Sequence, residues 1–175
     1  MAQTTKPKKM TAAQKAKAEA DAKHVIARNK KARHDYAIDK TYEAGLVLAG
    51  TEVKALRMGR ASLAEAWIDI DRRGEAWLLG ANIPVYATGG WTNHAPAQKR
   101  KLLLHEYELR DLARRSREKG FTIVPLELYF IRGRAKVEIA LARGKQEWDK
   151  RETLRRKQDA REAERAMAQA RRRQR

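Results

Sequence analysis

The stretch FTIVPLELYFIRGRAKVEIALA, residues 121–142, decides the fold. Leu126, Leu128 and Phe130 repeat at period two. After Arg132-Gly133-Arg134 the same period returns in Val137, Ile139 and Leu141, with Lys136 and Glu138 on the opposite face. Period-two burial on both sides of a short Gly-containing turn predicts an antiparallel hairpin with one buried side.

Working outward, residues 106–119 predict the clearest helix. Leu109, Leu112, Ala113 and Ser116 share a face, basic residues crowd the last turns, and Gly120 stands where a C′ glycine belongs. Residues 102–104 form a short apolar run. Residues 84–98 combine Gly89, Gly90 and Asn93 with Pro84 and Pro96 and predict a loop. A second hairpin is expected from 66–70 and 76–83 around the turn 71–74, with Trp67 and Trp77 open to surface or core. Residues 50–57 predict a short helix, with Thr51 as N-cap and Gly59 ending it. Residues 45–48 predict a buried strand end. The alternation of Tyr36, Ile38 and Lys40 predicts a strand over 34–42, with order beginning near Arg33.

Many short strands with one solid helix imply a mainly β chain. A small closed antiparallel β-barrel with flanking helices buries the period-two face and hides the sheet edges.

The charge is layered along the chain. Of the net +18, residues 1–33 carry +8, residues 34–144 only +4, and residues 145–175 carry +6. The ends therefore read as basic flexible arms on a nearly balanced middle. Expected boundaries are a disordered tail over 1–27, a domain over 28–144 and a tail over 145–175. A surplus of this size favours a polyanionic partner, because each cation near a phosphate releases a counterion. The C-terminal arm has Trp148, Leu154 and Met167 as its large apolar residues and lacks a continuous apolar stripe. It is expected to order on a partner, as Arg-rich RNA-binding segments do.

Catalysis finds little support. Cysteine is absent, which excludes disulfides and thiol nucleophiles. The four histidines lack metal-helix spacing, Ser62 is not in a nucleophile elbow, and no Gly-rich phosphate loop occurs. Asp69 and Asp71 flank a turn and read as turn residues rather than metal ligands. No enzyme activity and no cofactor are expected. No apolar run approaches the roughly 18 residues of a membrane helix, so no membrane partner is expected. For RNA contact, Tyr36, Trp91, Tyr129 and Trp148 lie close to Lys or Arg, with core packing equally open to each. Glu43 and Glu52 read as structural groups or as acceptors for ribose hydroxyls or base amino groups, and composition alone favours the structural reading.

Seven ordered motifs carry a resemblance over roughly residues 28–157. They are KARHDYAI (31–38), YEAGLVLAGTEVKALRMGRASL (42–63), GEAWLLGANIPVY (74–86), KRKLLLHEYELRDL (99–112), EKGFTIVPLELYF (118–130), GRAKVEIALARGK (133–145) and WDKRETLRRK (148–157). In these the chain resembles the SsrA-binding protein family. The resemblance implies a closed barrel of oligonucleotide-binding type with about three helices. It implies one RNA partner, the transfer-RNA-like domain of transfer-messenger RNA gripped at its D-loop elbow, and a second partner, the ribosome. It implies a cytoplasmic protein, and a monomer is expected. Its C-terminal arm would enter the empty messenger channel and fold there as a helix.

Carried over by motif, Glu43, Leu103, Lys136 and His34 match positions tied to RNA; Tyr36 is expected to contact RNA with them as an aromatic beside basic residues. Gly144, Asp149, Lys150 and Arg151 match positions tied to ribosome engagement. The chain departs from the pattern in its longer N-terminal extension and in Ala95-Pro96-Ala97-Gln98 before KRKLLL. A general ribosomal or basic RNA-binding protein is the alternative reading.

Overall fold

The structure is a computed structural model that describes residues 23–87, 93–146, 151, 155, 158–159, 161–165 and 167. Seven strands and three helices of defined bounds follow in order. They are β1 (His24–Arg28), α1 (Lys30–Asp35), β2 (Tyr36–Leu46), α2 (Gly50–Arg57), β3 (Trp67–Ile70) and β4 (Ala76–Leu79). β5 (Arg100–Leu103), α3 (Glu106–Ser116), β6 (Phe121–Ile131) and β7 (Arg134–Gly144) complete the set. All strands pair antiparallel in one sheet, in the order β1-β6-β7-β2-β5-β4-β3.

The sheet curls, and among the described residues no hydrogen-bonded ladder joins its two ends, β1 and β3, into the expected closed barrel. The reason lies in how β6 divides its edge. β1 pairs with its C-terminal half, from Glu127 to Phe130. Opposite the N-terminal half, Ile68 to Ile70 of β3 face Phe121 to Ile123 across a cavity that Ala113, Ser116 and Arg117 help to line. β3 thus approaches β6 without a ladder.

The β6–β7 hairpin is as read, with one correction. Its buried side is not single, because the centre of β6 is buried on both faces. Val137, Ile139, Leu141, Ile123 and Leu128 enter the main core with Leu56, Leu78 and Ile83. Val124, Leu126, Ala140 and Ala142 form a second cluster outside the sheet, under Ala32 and Tyr36. A bulge between Pro125 and Glu127 shifts the register, so Glu127 and Tyr129 continue the outer face where Leu126 leaves it.

Three local readings are also corrected. Order begins earlier than Arg33: β1 starts inside the stretch assigned to the N-terminal tail and ends at Arg28, held by its ladder to β6. His34 sits in α1, not in a strand. Asn29 starts that turn: its side chain accepts from Ala32 N (2.9 Å) and donates to Leu63 O (3.0 Å). α2 begins after Ala49 rather than on a Thr51 cap, with the Glu52 carboxylate accepting from Ala49 N (2.7 Å). Gly59 ends it at φ +72°, as expected.

Smaller differences follow. α3 stops at Ser116, where a turn from Glu118 N to Arg115 O (3.1 Å) replaces the last helical residues before Gly120. β2 ends at Leu46, and Val47 just beyond it is 52% exposed, so the stretch 45–48 is not a buried strand end. The 71–74 turn is fastened by Asp71, which accepts from Arg73 N, Glu75 N and the Trp77 indole.

A buried ion pair locks α2 to β5. Arg100 and Glu52 are each 1% exposed, with Nε to Oε1 at 2.7 Å. Arg100 also donates to the carbonyls of Ala81 (2.7 Å), Gln98 (2.9 Å) and Pro96 (2.9 Å), while Gln98 donates to Glu52 (2.8 Å). Every polar end of the pair is satisfied, which a buried charge requires. Among the described residues no helix is long and apolar enough to cross a membrane.

Candidate nucleic-acid interface

β-pairing puts residues directly opposite one another on the same face. Leu103, Gly45, Lys136 and Tyr129 stand in one such row across β5, β2, β7 and β6. Glu43, Glu138 and Glu127 form the next row. This face points outward, because the intervening Ala44, Leu102, Val137 and Leu128 are buried in the core.

The rows make one charged network. Tyr129 donates its hydroxyl to Glu43, and Lys136 pairs with the other oxygen of the same carboxylate. Lys23 lies 4.1 Å above the Tyr129 ring and reaches Glu127 (2.8 Å) and Glu138 (3.3 Å). Arg28 (3.3 Å) and Arg33 (3.6 Å) also approach Glu127. Three adjacent carboxylates repel one another, and these cations offset that repulsion.

The titrations follow the contacts. Lys136, then the Tyr129 hydroxyl, holds the Glu43 carboxyl below its ordinary value. Burial, then Glu43, pushes the Tyr129 phenol well up, so it remains a donor at neutral pH. Lys23 holds Glu127 low.

A carboxylate offers about four lone-pair sites and an ammonium three donors. Glu43 can therefore accept from a ribose hydroxyl or base amino group while it keeps Tyr129. Lys136 can reach a phosphate beside it. Leu103 is 53% exposed and leans over Gly45, where an added Cβ would meet Leu103 Cβ at 3.4 Å. The bare Gly45 strip and the exposed leucine suit close approach of a flat base.

Glu43, Leu103 and Lys136, far apart in sequence, are thus brought together. His34 and Tyr36 are not part of that group. Tyr36 pairs with Gly144 at the far end of β7, eight residues from Lys136, or about 26 Å at strand rise. There His34 Nδ1 is 2.8 Å from Asp35 Oδ1, Lys145 N donates to Asp35 O (2.8 Å), and Tyr36 packs on the second cluster. Gly144 is exposed. Arg151 is helical and exposed, whereas Asp149, Lys150, Trp91, Trp148 and residues 1–22 lie outside the described residues.

Glu138 was placed on the outer face from sequence but not read as part of a site, and Glu127, Lys23 and Gly45 were not singled out. The signal for the acids was available in period two, since Glu138 follows Lys136 by two and Glu127 precedes Tyr129 by two. Lys23 had no such signal, because it arrives through β1. Of the two acids read together, Glu52 is structural and Glu43 is on the outer face. Among the described residues no group of three or more His, Asp or Glu could hold a metal ion.

The family model for SmpB protein matches residues 26–169, from within β1 into the C-terminal arm. The chain belongs to the SmpB family. A relative from Bifidobacterium adolescentis, an SsrA-binding protein, is 70% identical over 145 residues, 83% of this chain and 91% of the relative. The SsrA-binding protein of Streptomyces avermitilis is 65% identical over 151 residues, covering 86% of this chain and 85% of that one. A solved SmpB structure, described as "tmRNA-SmpB: a journey to the center of the bacterial ribosome", superposes with a TM-score of 0.59 at 47% identity. It covers 74% of this chain and 94% of its own. The SmpB match thus spans the outer face with Glu43, Leu103 and Lys136 together with the Tyr36–Gly144 end.

Proposed function

We propose that this SmpB-family protein binds the transfer-RNA-like domain of transfer-messenger RNA and delivers it to stalled ribosomes for trans-translation. The observation that carries the reading is the 70% identity, over 83% of the chain, to an SsrA-binding protein. The outer face supplies suitable chemistry. Glu43 accepts from sugar or base, Lys136 meets phosphate, and Leu103 packs against a base.

The division of labour is part of the proposal. The curled sheet acts as the RNA-reading body, a barrel of oligonucleotide-binding type closed by β3 packing against β6. His34 and Tyr36 contribute RNA contacts from the other end of β7. The arm that begins beyond Gly144 engages the ribosome through Asp149, Lys150 and Arg151. It enters the empty messenger channel as a helix, in the place of codon–anticodon pairing. The described positions from 151 to 167 are helical and exposed, in keeping with a helix that awaits a partner. The protein works where ribosomes do, in the cytoplasm, without catalysis of its own.

The test is a gel shift at moderate salt, with labelled transfer-messenger RNA and bulk transfer RNA as competitor. Retention of the complex against excess competitor is expected. Equal affinity for the two RNAs would replace this reading with that of a general basic RNA binder.

A further inference from the structure

The β6–β7 hairpin closes on two residues, Arg132 and Gly133, at φ +50° and +74°. A two-residue turn with both φ positive is the type I′ geometry, for which Asn-Gly or Asp-Gly is the usual choice. Arg132 is the one non-glycine residue with positive φ among the described residues. An Arg there is strained by its Cβ, at a position that Asn or Asp usually takes.

The strained residue tops a ladder of cations. Arg134 stands opposite Ile131, and Lys136 opposite Tyr129, on the same outward face. Arg132, Arg134 and Lys136 line an open cavity of about 320 Å³ with Ile131 as its apolar wall. Alternate strand residues are about 6.6 Å apart. That step is on the scale of successive phosphates along a nucleic-acid strand. Lys136 also pairs with Glu43, so the ladder runs directly into the network already described.

We infer that the hairpin tip is a phosphate clamp, with Arg132 and Arg134 gripping the RNA backbone next to the phosphate met by Lys136. The inference rests on the RNA-binding reading above and extends that surface beyond the sheet to the end of the hairpin. Continuity with the Glu43–Lys136 face and the +18 net charge select RNA as the occupant. Guanidinium groups suit the task because they hold phosphate bidentately.

The test uses full-length protein and the transfer-RNA-like domain of transfer-messenger RNA. Affinity is measured by fluorescence anisotropy across a salt series, beside thermal melting. Arg132→Asn suits the backbone, so its melting midpoint should be no lower than the wild type. Its affinity should nevertheless fall severalfold, and the slope of log K against log salt should flatten by about one. Arg134→Gln should flatten the slope to a similar degree, and Arg132→Lys should keep it. Wild-type affinity and slope in both Arg132→Asn and Arg134→Gln, with the wild type itself binding, would overturn the clamp alone. Failure of the wild type to prefer this RNA over transfer RNA would instead remove the reading beneath it, and the clamp with it.

Discussion

Replacing Arg100 with Met removes a guanidinium that is 1% exposed and donates to Glu52, Ala81 O, Gln98 O and Pro96 O. Met fills much of the volume, so the effect is mainly electrostatic. Glu52 keeps Ala49 N and Gln98, but its buried charge loses its counterion. Breaking a buried pair from one side costs about 3–5 kcal/mol. Against a net stability of about 5–15 kcal/mol, that is a large share. The melting midpoint should drop on the order of 10 °C for a chain of this length.

The pH dependence carries the same signature. Burial raises the Glu52 carboxyl, but the Ala49 amide, Gln98 and Arg100 together bring it below its ordinary 4.5. A lowered carboxyl contributes stability above 4.5 that is lost as pH falls through the lower folded value. In Arg100→Met one of the three lowering contacts is gone, so this acid loss should shrink. Urea unfolding followed by circular dichroism between pH 3 and 7 reads both effects. A loss under about 1 kcal/mol at neutral pH, with an unchanged acid limb, would refute the claim that this pair locks α2 to β5.

Three further outcomes are expected. Lys136→Ala should weaken binding of the transfer-RNA-like domain and flatten its salt slope by about one, measured by filter binding; an unchanged slope would count against phosphate contact. Truncation after Gly144 should leave RNA affinity nearly intact in the same assay, yet abolish peptide tagging on stalled ribosomes in a reconstituted translation system. Gly80→Ala should lose at least about 2 kcal/mol in urea unfolding. Gly80 has φ +68°, and an added Cβ would lie 2.3 Å from Glu65 O and 2.9 Å from a Trp67 ring carbon.

What could be read from the sequence was what local chemistry specifies. Both hairpins were legible because a turn and its period-two flanks lie within about 20 residues of each other. α3 was legible from one apolar face, although its end was overestimated by three residues. The remainder depends on partners distant in sequence. HVIAR is too short to declare itself a strand, and it becomes β1 through β6, about 100 residues on. α1 has six residues and rests on Asn29, whose side chain also holds Leu63. Nothing local distinguishes it from the start of β2.

The same logic divides the site. The motifs singled out Glu43, Leu103 and Lys136 separately. Their meeting on one face required the registers of β2, β5, β6 and β7. Local sequence could not tell Glu43 from Glu52. Only the 48-residue reach to Arg100 makes one acid a buried lock, while the strand phase of β2 turns the other outward. Closure of the sheet was expected from the economy of hiding edges. The ladder itself does not close it, because β6 divides its edge between β1, which pairs with it, and β3, which approaches it without pairing.

The most direct measurement is recovery of RNA from living cells. Tagged protein is cross-linked in cells that contain transfer-messenger RNA, purified under denaturing conditions, and its bound RNA sequenced. Enrichment of transfer-messenger RNA far above transfer RNA is predicted, with cross-links in the transfer-RNA-like domain that map to peptides around Glu43, Leu103 and Lys136. Bound RNA that merely mirrors cellular abundance, with cross-links scattered over the basic arms, would contradict the account.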